Sequence, residues 1–213
     1  MSIFSSSGII STYASLIPLV AGLSVFKRAG NNLRLLFLFV GVGFLTDIAV
    51  WLLMRDFGLL AKLLFEGYSL IEALFLLLIL RRLSLSHNIS RLIKIFFFPF
   101  ILFWVFSEFT FFPFGLATPS HNTIFVIVYE IPISFLSGFL LLTYIEKNKR
   151  PFELPDFWVI CGIFFYCFTS FFITAFMETS LLKSVWWVHN MINIITYLIY
   201  TYGFYKVAAN RAD

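Results

Sequence analysis

Seven long apolar stretches, joined by short polar connections, fill almost all of a 213-residue chain. A bilayer core is crossed by about 20 apolar residues in a helix. The stretches meet that requirement at 7–26, 33–54, 58–80, 92–112, 123–145, 157–178 and 184–206. Their length, and the lack of ten-residue alternating segments, favours helices over barrel strands. The expected fold is therefore all-α: one integral membrane domain, a bundle of seven transmembrane helices. Composition closes off the soluble alternative. The chain is 61% hydrophobic and 12% charged, with a mean hydropathy of +0.95, so too few polar residues remain to cover a soluble surface.

The connections alternate in basic charge. Of 15 lysines and arginines, only Arg55, Lys62 and Lys183 fall near one side, and the other 12 cluster around 27–34, 81–94, 147–150 and 206–211 on the opposite side. Basic loops stay in the cytosol, so the expected orientation is amino terminus outside and carboxyl terminus cytosolic. The plasma (inner) membrane is the expected location. The pI of 9.1 then follows from topology and calls for no nucleic-acid partner.

The first 20 residues have no basic leading segment, and their apolar run continues to Lys27-Arg28, so they read as a retained helix and not a cleaved leader. Cys161 and Cys167 fall six residues apart on one predicted helix, a spacing unsuited to a disulfide. The 146–156 connection, with two prolines, reads as a rigid link into the sixth helix, with Asp156 at its first turn. No connection is long enough for a folded module, so any signal output is expected in another chain.

Ionisable groups inside a span are costly and point to function or to interhelical locking. Six acids or histidines qualify: Asp47, Glu66, Glu72, Glu108, Glu130 and His189. At 1.5 Å per residue, Asp47, Glu66, Glu130 and His189 lie roughly 7–12 Å below the outer surface, with Glu108 shallower and Glu72 in the inner half. On the seventh span His189, Asn193, Thr196 and Tyr200 step by 4, 3 and 4 into one polar stripe, with Asn190 beside it. On the fifth, Glu130, Ser134 and Ser137 flank Pro132, which removes a backbone donor. Gly41 and Gly43 precede Asp47 and allow a close helix approach. The competing reading is purely structural, with neutral carboxyls hydrogen-bonded to Asn, Ser, Tyr and His partners.

Several chemistries can be tested against these positions. A retinal pigment needs a lysine within the seventh span, and none occurs from Ser184 to Tyr205. A seven-helix zinc hydrolase needs about three clustered ligands, whereas the three histidines, His87, His121 and His189, fall on both sides of the membrane and form no His-x-x-x-His pair, which leaves open only a two-histidine site completed by a Glu or Asp. Gly-x-Ser-x-Gly and a paired membrane aspartate are both missing. No catalytic residue, metal site or cofactor is expected. A transporter of two three-helix repeats gains support from Pro18 and Pro132 at matching places, but the Pro-Gln pair expected of the sugar-transporting kind does not occur.

The stretches YSLIEALFLLLILRR (68–82), FWVICGIFFYCFTSFF (157–172) and WWVHNMINIITYLIYTYGFYK (186–206) resemble a group of small bacterial seven-helix proteins, mostly without an assigned function. Similar heptahelical units accompany sensor histidine kinases. The anchors are Tyr68, Glu72, Trp187, His189 and Asn193. The resemblance implies a sensory role and a separate signalling partner, since no kinase region is present.

The expectation is a receptor-like sensor that binds a small ligand, proton or cation in an outer-half polar pocket. Glu66, Glu130 and His189 would bind or titrate, with Asp47 and Asn193 orienting them and Tyr68, Asn190 and Glu108 at the periphery. A histidine with a neighbouring carboxyl suits a proton sensor, because imidazole titrates near neutrality. The alternatives are a small transporter using Glu66 and Glu72 as relay steps about 9 Å apart along one helix, and a structural accessory subunit.

Overall fold

A computed structural model describes residues 6–54, 56–111, 121–176 and 182–209, with side chains described over 8–54, 56–107, 124–174 and 187–209. Among these residues the chain is helical throughout, with one short 3-10 turn at Pro151–Glu153 and no strand. The helices are α1 (Ser6–Ala14), α2 (Leu16–Val25), α3 (Asn31–Leu53), α4 (Gly58–Leu83), α5 (His87–Phe111), α6 (His121–Lys147), α7 (Pro155–Phe176) and α8 (Leu182–Ala209).

The first expected span is divided. Pro18 offers no backbone donor, and its ring crowds the carbonyl one turn before it, at Ala14. The helix interrupts beside that carbonyl, at Ser15, whose hydroxyl donates back to the Thr12 carbonyl at 2.7 Å. Pro99 and Pro132 are both contained within continuous helices.

Six segments are long and apolar enough to cross a membrane: Gly8–Val25, Asn31–Leu53, Gly58–Leu83, His87–Ser107, Ile124–Lys147 and Pro155–Thr174. The helices thus form a multi-pass membrane bundle. α8 stands outside that set because His189, Asn190, Asn193 and four tyrosines dilute its apolar residues. It nevertheless packs along α7 on one side and along α1 and α2 on the other.

Consecutive helices pack against each other all the way round, and α8 closes the circle onto α1 and α2. Inside the ring α4 reaches α6 and α7, and α3 reaches α7. The fully buried side chains Leu36, Leu76, Leu80, Phe125, Ile133, Leu140, Ile160 and Ile163 fill its interior. The outer faces are equally apolar: Phe135, Phe98 and Val20 are 76%, 67% and 68% exposed. Apolar side chains on both faces suit a bundle surrounded by lipid.

Polar ties hold the end of the bundle where the basic segments gather. Arg34 donates from Nε to the Phe26 carbonyl and from Nη2 to the Lys27 carbonyl, each at 3.1 Å. It thereby satisfies carbonyls that the end of α2 leaves without helical partners. Asn32 donates to Asp156 at 3.3 Å, joining the start of α3 to the first turn of α7. The Tyr144 hydroxyl donates to the Leu83 carbonyl at 3.3 Å, joining the ends of α6 and α4.

Candidate functional site

The polar residues of the interior come from α1, α3, α4, α6, α7 and α8. Asp47 of α3 accepts a hydrogen bond from the Thr12 hydroxyl of α1 at 3.3 Å. It interacts electrostatically with Glu72 and Tyr68 of α4 and with Tyr197 of α8. Tyr68 lies one turn before Glu72 and packs on Gly43, where a Cβ would sit 2.7 Å from the phenol oxygen. The close approach expected of the α3 glycines is thus made at Gly43, by a tyrosine.

Glu72 is the hub. Only 7% of it is exposed, and the hydroxyls of Tyr166 on α7 and Tyr129 on α6 stand near its carboxyl. Those two tyrosines also interact with Glu130, and Tyr68, Tyr197 and Tyr200 interact with Glu72. Tyr200 reaches the centre because its ring lies directly over the bare Cα of Gly162 on α7.

Glu130 is fully buried, and neither carboxyl oxygen has a hydrogen-bond partner among the described residues. The Ser170 hydroxyl of α7 approaches it. That approach falls short of a well-formed bond, and the Ser170 hydroxyl also lies 3.5 Å from His189 Nδ1 of α8. The buried Thr196 hydroxyl likewise has no partner among the described residues. An unpaired polar group in a dry interior carries the whole cost of its desolvation.

Glu66 occupies different surroundings. Its carboxylate pairs with Lys62 Nζ at 3.5 Å, and its carbonyl accepts bonds from Ser69 Oγ at 2.7 Å and from Trp104 Nε1 at 3.1 Å. The acids that interact are therefore Asp47 with Glu72 and Glu72 with Glu130. Glu72, placed by sequence in the inner half as a separate relay step, stands at their centre.

Asn190 is buried and Asn193 half-buried on one face of α8, three residues apart. Ser134 and Ser137, expected to extend the Glu130 stripe, donate instead to carbonyls of their own helix, at Ile131 and at Ile133 and Ser134. The side chain of Glu108 lies outside the described residues, as do Arg55 and the side chains of His121 and Lys183. Cys161 and Cys167 are free thiols.

The electrostatics of the interior are one-sided. Among the described residues the ion pairs are Lys62–Glu66 and Arg150–Glu153, so no lysine or arginine pairs with Asp47, Glu72 or Glu130. No group of three His, Cys, Asp or Glu side chains is arranged as metal ligands among those residues. Sequence reasoning did not single out Thr12, Tyr129, Tyr166, Ser170 or Tyr197. The available signal was the adjacency Tyr129-Glu130 and the helical spacing of Tyr166 and Ser170, four residues apart.

No family model matches the chain, and no curated protein or solved structure matches it either.

Proposed function

We propose that this chain is a seven-helix membrane sensor whose interior acids, Asp47, Glu72 and Glu130, bind a proton or small cation. In this reading α8 is the seventh span, and the amino terminus faces outward. The packing of α8 between α7 and α1/α2 supports the first statement. The gathering of Lys27, Arg28, Arg34, Arg81, Arg82 and Lys147 at one end of the helices supports the second.

One observation carries the binding role. Among the described residues Glu130 is buried with both oxygens unpartnered, interacts with Glu72, and pairs with no lysine or arginine. Carboxyls so placed draw their compensation from something the chain does not supply: a bound proton or a cation. Occupancy would alter the spacing of α4, α6 and α7, the three helices that meet across the ring. Helix shifts of that kind reach the basic ends, where a separate cytosolic or membrane partner would read them. The sensory reading also draws on the resemblance to heptahelical units that accompany histidine kinases.

A transporter is the second reading, favoured by the position of Glu72 near the middle of α4, about equally distant from its two ends. The two are separated by reconstituting the chain in vesicles loaded with a pH-sensitive dye. A sensor takes up protons in a saturating, stoichiometric step and then stops. Sustained flux that is lost in Glu72→Gln would replace the sensor with a transporter.

A further inference from the structure

We infer that Ser170 and His189 form the route by which Glu130 and Glu72 exchange protons with the end of the bundle opposite the basic segments. The inference rests on the proposed binding role of the interior acids and names the proton as what they take.

Three placements carry it. Ser170 is fully buried and stands between two titratable groups on different helices: the Glu130 carboxyl on α6 and His189 Nδ1, 3.5 Å away on α8. Among the described residues Glu130 has no hydrogen-bond partner to hold it in a static lock. Beyond Glu130, the Tyr129 and Tyr166 hydroxyls are shared with Glu72, so the next acid is reached through groups that both donate and accept. The titratable groups that interact with Glu130 are Glu72, Tyr129, Tyr166 and Cys167.

The direction follows from the helix ends. His189 lies in the first third of α8, Ser170 in the last third of α7, and Glu130 just past the first third of α6. All three are on the half of the bundle remote from Arg34, Asp156 and Tyr144. His189 is also half-buried, where Ser170 and Glu130 are fully buried.

The transfer balances without any co-reactant. His189 gives its Nδ1 proton to Ser170 Oγ as Nε2 takes one up from the outer side. As the new O–H bond forms there, the serine releases its own proton to a Glu130 oxygen. Imidazole is left neutral, the serine is unchanged, and the carboxylate has become a carboxylic acid. Rotation of the serine hydroxyl resets the path. A Tyr129 or Tyr166 hydroxyl can repeat the exchange toward Glu72.

The test is infrared spectroscopy of the full chain in lipid, following the carboxylic C=O band that disappears in Glu130→Gln and timing its shift on transfer to heavy water. Loss of one relay hydrogen bond is expected to slow that exchange by roughly tenfold or more in Ser170→Ala and His189→Phe. Ser170→Thr, which keeps the hydroxyl, should restore the wild-type rate. Circular dichroism identifies any variant that has lost its helices, and the Ser170→Thr comparison stands independently of His189→Phe. Exchange as fast in Ser170→Ala as in wild type overturns the route and leaves the proton-binding acids in place. If Glu130→Gln removes no carboxylic band, Glu130 carries no proton and the route is also overturned. The wider reading then stands or falls separately, on whether cations stabilise the chain.

Discussion

Tyr68 of α4 occupies the space that a side chain at Gly43 of α3 would fill: a Cβ there would lie 2.7 Å from the phenol oxygen. The contact does two things. It brings α3 and α4 together, and it sets a hydroxyl between Asp47 and Glu72. A methyl group at position 43 therefore forces Tyr68 away from both acids. Gly43→Ala is expected to cost about 1–3 kcal/mol, the usual range for overpacking. Gly41→Ala, whose Cβ would meet only Leu19 at an ordinary 3.7 Å, should be close to neutral. Thermal melting of the two variants side by side checks the difference.

Glu66 is held by its backbone more firmly than by its charge. Lys62 is 58% exposed, and a half-solvated ion pair contributes little. Lys62→Met should shift stability by less than about 1 kcal/mol. Trp104→Phe keeps most of the ring but leaves the Glu66 carbonyl without its indole donor. It should cost about 1 kcal/mol beyond any packing loss. The opposite ranking would mean that the Lys62–Glu66 pair organises this part of α4.

Arg34 bonds two successive carbonyls at the end of α2 while its guanidinium lies 5.6 Å from the centre of the Phe26 ring. A lysine has the charge but not the planar fork. Arg34→Lys should lower stability by about 1 kcal/mol. It should also increase hydrogen exchange of the backbone around residues 26–30, which mass spectrometry can localise.

The apolar runs made the membrane class and six of the helices readable from sequence, since hydropathy reports the solvent a helix meets. The split at Ser15 was not drawn, although Pro18 carried the information needed to place it. The site was half visible. Asp47, Glu130 and His189 stood out because a charged group in an apolar run is conspicuous. Tyr129, Tyr166 and Tyr197 did not, since a tyrosine in such a run reads as packing. Glu66 and Glu72 are alike in hydropathy and spacing. Both are buried acids on one helix, and only the rotation of α4 against α3, α6 and α7 decides which of them faces the centre. Ser134 and Ser137 illustrate the converse: they share the periodicity of Glu130, but a hydroxyl one turn from a carbonyl of its own helix bonds there first.

Glu130 allows stability and function to be separated. A buried carboxyl with no partner lowers stability, so a shape-filling apolar side chain should relieve that cost. Glu130→Leu is expected to melt at or above the wild-type temperature. Had Glu130 been a structural lock, the same change would cost several kcal/mol, as breaking a satisfied buried network does.

The most direct test is the melting temperature of the full chain in lipid nanodiscs, for wild type and for the Glu72→Gln/Glu130→Gln double variant. Each is measured through a series of pH steps and in the presence of sodium, potassium, calcium and small amines. If the interior acids bind a proton or cation, wild type responds to at least one of these conditions and the double variant does not. A wild type that melts at the same temperature throughout, or a double variant that keeps the full response, would contradict a cation or proton site at these acids.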